Sequence, residues 1–222
     1  MDKNQRGFTL VEIAIVLVII GLLLGGVLKG QEMITNAKVR NLADQGSSIK
    51  AAYYAFQDRY RALPGDYLTA TAIQNIAGVI AGGDGNGQIN NNAESGLAWQ
   101  HLAAAGFITG TYNGVAVGGG WACSTASCPA NAFGGTMNLR FGSQANFTTA
   151  NSHELWTGRN IPVAAIAELD RKTDDGIPNT GTFRHGQSAG ANAANAACVA
   201  GGVWAVTAAN PQSSCGAVYT QL

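Results

Sequence analysis

The chain has 222 residues and no net charge: 13 Lys and Arg balance 13 Asp and Glu, and charged residues make up only 12% of it. Neutrality without a basic cluster speaks against nucleic-acid binding, which needs concentrated cations to displace counterions. A hydrophobic content of 46% speaks against global disorder. The length suits one domain with an appendage.

The first element is a greasy run. Residues 8–28 read FTLVEIAIVLVIIGLLLGGVL, with Glu12 as their only charge. At ~1.5 Å per residue such a helix crosses a ~30 Å hydrocarbon layer. Lys3 and Arg6 precede it as the positive-inside rule wants, but Lys29, Lys38 and Arg40 follow, so the asymmetry is weak. No small-residue A-x-A site closes the run, so the apolar stretch is not expected to be removed as a secretory signal would be. Glu12 has two readings. A carboxylate within lipid is costly and marks a functional candidate. In the first turn of a helix, within Thr9-Leu10-Val11-Glu12, it also suits a capping box and the helix dipole.

The run Arg6-Gly7-Phe8-Thr9-Leu10-Val11-Glu12 ahead of an apolar stretch resembles the class III signal of type IV pilins and pseudopilins. The resemblance implies that a prepilin peptidase cuts between Gly7 and Phe8 and that Phe8 is then N-methylated. It gives Glu12 the role of the assembly glutamate, partnered by the freed amine of Phe8 on a neighbouring subunit. Many members of that family have a proline near the position of Lys29, which this chain lacks. Gly21, Gly25, Gly26 and Gly30 have small-x3-small spacing, which lets helices approach closely in lipid, and they are also weak helix formers.

Beyond the greasy run the helix is predicted to continue to about Ala62. Val39, Leu42, Gly46, Ile49, Tyr53, Phe56 and Tyr60 recur in steps of three and four, the stripe of a helix packed on one side. Leu63-Pro64-Gly65-Asp66 ends it. A helix of ~80 Å is too long for a compact domain, so the apolar half should protrude. Stem residues 29–61 carry net +3 and the rest of the chain from Ala62 carries net −3, which could help subunits register or could be solvated surface charge. The expected organisation is a leader at 1–7, a transmembrane and assembly half at 8–30, an amphipathic half at 31–63 and a head at 64–222.

Within the head, Glu94 to Ala105 and Pro162 to Arg171 read as short helices, and Met137 to Phe141 as a half-buried strand. Val115 with Val117, Val203 to Thr207, and Ala217 to Leu222 are further strand candidates, the last two expected to form a hairpin. The fold class is therefore α+β, and the resemblance implies the pilin form: a long helix against an antiparallel sheet.

Cys123, Cys128, Cys198 and Cys215 lack zinc-ligand spacing and read as two disulfides of an oxidising compartment. Of three connectivities, the local one, Cys123–Cys128 with Cys198–Cys215, is favoured. Cys198–Cys215 also resembles the C-terminal disulfide region of pilins.

Two acidic segments could hold calcium. Asp84-Gly85-Asn86 alternates oxygen-bearing residues as a calcium loop does, and Asp170, Asp174 and Asp175 gather near Gly176. An Asp/Gly turn is the favoured reading of each. No cofactor is expected.

Catalysis finds no signature. His101, His153 and His185 are scattered, and neither a serine elbow nor a phosphate loop is present. Trp99, Trp121, Trp156 and Trp204 read as core or interface aromatics, and Asn146-Phe147-Thr148 is a lone sequon. The resemblance implies a non-enzymatic subunit of a pilus-like filament. Its partners would be copies of itself, the prepilin peptidase and an inner-membrane assembly platform. It would lie in the inner membrane first and in a periplasmic or surface filament afterwards. The alternatives are a pseudopilin of a type II secretion system and a membrane-anchored periplasmic enzyme.

Overall fold

The apolar run and the stripe behind it form one helix, α1, Leu10–Tyr60. The computed structural model describes residues 10–118, 123–142, 151–186, 195–208, 213–220 and 222. It divides into two compact units, residues 1–37 and 38–222. In the first, fourteen large aliphatic side chains between Leu10 and Leu28 are each at least 46% exposed. A helix apolar on all sides has no inward face of its own, so only lipid or other protein can cover it.

The second unit is α+β. From residue 38 onward α1 buries Val39, Leu42, Gly46, Ile49, Ala52, Tyr53 and Phe56, the predicted stripe. The helix ends at Arg61, which takes a left-handed φ of 52° while its N–H still donates to the Gln57 carbonyl (2.9 Å). α2 (Thr69–Asn75) and α3 (Asn92–Ala104) follow. Asn91 caps α3 by accepting from the Glu94 N–H at 2.9 Å, and the Glu94 side chain reaches back to the Asn90 N–H. α4 covers Val163–Thr173 and α5 Asn195–Cys198.

Four strands, β1 (Asn138–Gly142), β2 (Ser152–Trp156), β3 (Phe183–His185) and β6 (Ala217–Thr220), make an antiparallel sheet in the order β1-β2-β6-β3. α1 meets it at Gly46, where a Cβ would lie 2.8 Å from the ring of Tyr219, and at Tyr53, whose ring stands 6.0 Å from that of His153. Glycine in the stripe is thus a seat for a β6 tyrosine. Both sheet edges are occupied: the Phe141 N–H of β1 donates to the Ile89 carbonyl (2.6 Å) and the His185 N–H of β3 to the Pro178 carbonyl (2.8 Å).

Several expectations are corrected. Val203 to Thr207 does not pair with Ala217 to Leu222. Instead β5 (Val203–Trp204) folds back on β4 (Val199–Ala200), because Gly201 and Gly202 take φ of 59° and 81°, the geometry of a tight two-residue turn. β6 pairs with β2 and β3 instead. Val115 and Val117 lie in no strand; the Val117 N–H donates to Asn92 at the start of α3. β1 is buried on both faces at its start rather than half-buried, since Arg140 is covered and faces Glu154 across the strands at 3.8 Å. Sulfur bonds join Cys123 to Cys128 and Cys198 to Cys215. The second ties α5 to the segment entering β6, where the Cys215 N–H donates to Ile161.

Candidate functional site

Gly7 and Phe8, the expected cleavage and methylation positions, lie outside the described residues. So do Trp121 and the sequon Asn146-Phe147-Thr148. The described part opens at Leu10, with Glu12 in the first described turn of α1. Leu10–Leu28 surrounds it with exposed aliphatics. Gly21, Gly25, Gly26 and Gly30 stay helical, with nothing within 4 Å of where a Cβ would stand. α1 runs through Lys29 without a break, and Lys29 pairs with Glu32 at 2.8 Å on the exposed surface. It is the one helix among the described residues long and apolar enough to cross a membrane.

Two acidic clusters are the other candidate sites. Asp84 joins Asp66 and Glu94, and Asp170 joins Asp174 and Asp175. In each trio one oxygen per residue lies within 4.8 Å of the others, so these are the residues that could hold a cation. Sequence reasoning missed Asp66 and Glu94. Asp66 sits in the turn that ends α1 and Glu94 in the first turn of α3, far from Asp84 in helix periodicity but adjacent once Gly82 and Gly83 pack on the Gly65–Thr69 backbone.

Each carboxylate already anchors a loop. Asp66 accepts from the N–H groups of Gly85 (2.9 Å), Asn86 (3.1 Å) and Gly87 (2.8 Å). Asp84 accepts from the backbone and side-chain N–H groups of Asn86, so Asn86 turns toward its own loop. Glu94 accepts from Asn90 and Asp84. Burial pushes the Asp66 and Glu94 carboxyls above their usual range, and the backbone donors oppose it.

In the second cluster Asp170, fully buried, accepts from the Trp204 indole N–H (2.7 Å) and the Gly176 N–H (3.3 Å). Asp174 accepts from the Phe183 N–H (2.8 Å) at the start of β3, and Asp175 from the Ile177 N–H and the Thr180 hydroxyl. Burial pushes the Asp170 carboxyl up to about 6. What both clusters do in the fold is hold turns, with charge-assisted backbone bonds in place of side-chain packing.

The three histidines are not brought together at one reacting point. His101 accepts from the Gly65 N–H through Nδ1 (3.0 Å), with Nε2 2.9 Å from the Ala81 carbonyl. His185 stacks edge-on against Trp204, and His153 packs between Tyr53 and Phe141. Burial lowers the basicity of all three, His185 to about 4.

Residues 2–28 match the family model of the prokaryotic N-terminal methylation motif. No curated protein matches the chain, and no solved structure matches it.

Proposed function

Because residues 2–28 carry that motif, the class III signal of pilin and pseudopilin precursors, and the apolar helix behind it meets an α+β head, we propose that the mature chain is the structural subunit of a type IV pilus-like filament. A prepilin peptidase removes residues 1–7 and methylates Phe8. α1 waits in the inner membrane, and an assembly platform then moves subunits into the filament. The observation that carries this reading is the coincidence of the motif with fourteen exposed aliphatics on Leu10–Leu28. Outside lipid each such side chain would cost roughly 1.5–3 kcal/mol left in water. A bundle of identical helices covers them all at once.

Glu12 serves as the registration point. Buried among neighbouring helices its charge is costly unless paired, and the freed Phe8 amine supplies the partner. Glu12→Ala should leave leader removal intact, as intact-mass measurement of the purified chain shows, and abolish filaments seen by electron microscopy. Normal filament yield from correctly trimmed Glu12→Ala protein would overturn the reading.

The second reading is a pseudopilin of a type II secretion system. Lys29 stands where many pilins carry proline, and α1 passes it unbroken. Deletion that stops secretion while surface filaments persist favours this reading; deletion that removes the filaments favours the pilus.

A further inference from the structure

Most exposed charges along α1 are engaged within the chain. Lys29 pairs with Glu32 at 2.8 Å and Arg61 with Asp58 at 3.4 Å. Lys38 and Arg59 lie over the rings of Phe133 and Tyr60, each 5.3 Å from the centroid. Arg40 and Asp44 are exposed, four residues apart on the helix, and make no ion pair with each other or with any other described residue. Beside them the helix surface is short-chained, with Ser47, Ser48 and Ala51 all exposed.

Asp44 lines a cleft of about 510 Å³ between α1 and the half-buried Phe107, Ile108 and Tyr112, and it is the only charged residue of that lining. An acid beside apolar carbon suits an arginine, whose aliphatic stem lies on the carbon while its fork of N–H groups holds the carboxylate.

Register selects which arginine. Copies in a filament are related by one repeated screw operation, so the same axial step applies to every residue of α1. On the filament reading the freed amine of Phe8 meets Glu12 of the neighbour, a step of four residues. At that step Arg40 of one copy meets Asp44 of the next. These are the only opposite charges among residues 29–61 that the step brings together, and no like charges coincide. The two pairs also share a helical phase in the sequence: 32 residues separate Phe8 from Arg40 and Glu12 from Asp44, about nine turns. We propose that Arg40 of one copy pairs with Asp44 of its neighbour, a second contact at the step set by Phe8 and Glu12. The proposal rests on the filament reading and applies to a pilus and to a secretion filament alike.

Polymer is collected from the surface and envelope of cells making Arg40→Glu, Asp44→Arg, or both variant chains together, with intact mass checking that residues 1–7 are removed. Each variant alone sets like charges at the contact and should lower polymer yield about tenfold. Made together, the two should return it to within about twofold of the parent, since every contact between unlike chains joins opposite charges. Within one chain either variant keeps like charges at 40 and 44, so pairing inside a chain gives no such rescue. In a second measurement Arg40→Lys supplies an amine. Carbodiimide coupling of its assembled polymer should link residue 40 of one chain to Asp44 of another, and adding Asp44→Asn should remove the link. If the parent polymer forms but the link is absent, or the swaps leave the yield unchanged, the pairing is overturned and the filament reading stands. A parent chain that forms no polymer overturns both.

Discussion

Asp170 and His185 reach Trp204 by different routes, one through the indole N–H and one edge-on to the ring, and they titrate against each other. Burial holds the Asp170 carboxyl at about 6 against an ordinary 3.8. Between those values the folded chain keeps a proton that the unfolded chain releases, so this group's contribution to stability falls as pH rises through the window. His185 sits at about 4 against 6.5. Below 6.5 the unfolded chain gains a proton that the folded chain refuses, so its contribution falls as pH drops. Asp174 and Asp175 add to the Asp170 shift and are common to all variants. Relative to the parent, Asp170→Asn should lose stability toward pH 4 and His185→Gln should gain it, with limiting slopes of about 1.4 kcal/mol per pH unit. Denaturant midpoints measured from pH 4 to 7 check both; parallel curves for all three proteins would refute the assignment.

Gly65 belongs to the same scale. Its φ is 88° and a Cβ there would stand 2.2 Å from the Glu94 carbonyl oxygen, a backbone atom that cannot step aside. Gly65→Ala should therefore cost about 2–4 kcal/mol, strain and overpacking together, read as a lowered melting midpoint. Pro64-Gly65 was legible as a helix stop. That the glycine is also a seat for α3 was not, because Glu94 is 29 residues away in the chain.

Elements differ in how openly the sequence declares them. α1 was legible to its C-terminal end because its stripe repeats for six turns and a Pro-Gly pair stops it. α4 was legible from Val163, Ile166 and Leu169, all buried in the structure. β2 and β3 were not read at all: Ser152-His153-Glu154-Leu155-Trp156 mixes polar and apolar residues without alternation, because Glu154 is buried opposite Arg140. Only a partner strand makes such a segment extended. The β6 pairing was misread for a related reason. Cys198–Cys215 brings two segments together without making them a hairpin, since Gly201-Gly202 closes a nearer one. That bridge spans 17 residues and the Cys123–Cys128 bridge 5. In the chain-entropy account, replacing both cysteines by serine should cost about 3 kcal/mol for the longer and about 2 for the shorter. Urea midpoints of the two double variants give the order, and a larger loss for Cys123–Cys128 would contradict it.

At the scale of the molecule, the candidate site divides the same way. Glu12 and its apolar surroundings stood in the sequence because a membrane segment is contiguous. The trio of Asp66, Asp84 and Glu94 was only half visible, since its members come from three separate segments, whereas Asp170, Asp174 and Asp175 lie close together in the chain. The two occupied sheet edges have a consequence for growth of any polymer. A strand arriving at β1 meets a bond already made to Ile89, and one arriving at β3 meets Pro178. Runaway ladder extension between heads, the usual route to irreversible fibres, is blocked on both flanks. Reversible stacking then falls to side chains, and a structure held that way can be taken apart again one protomer at a time.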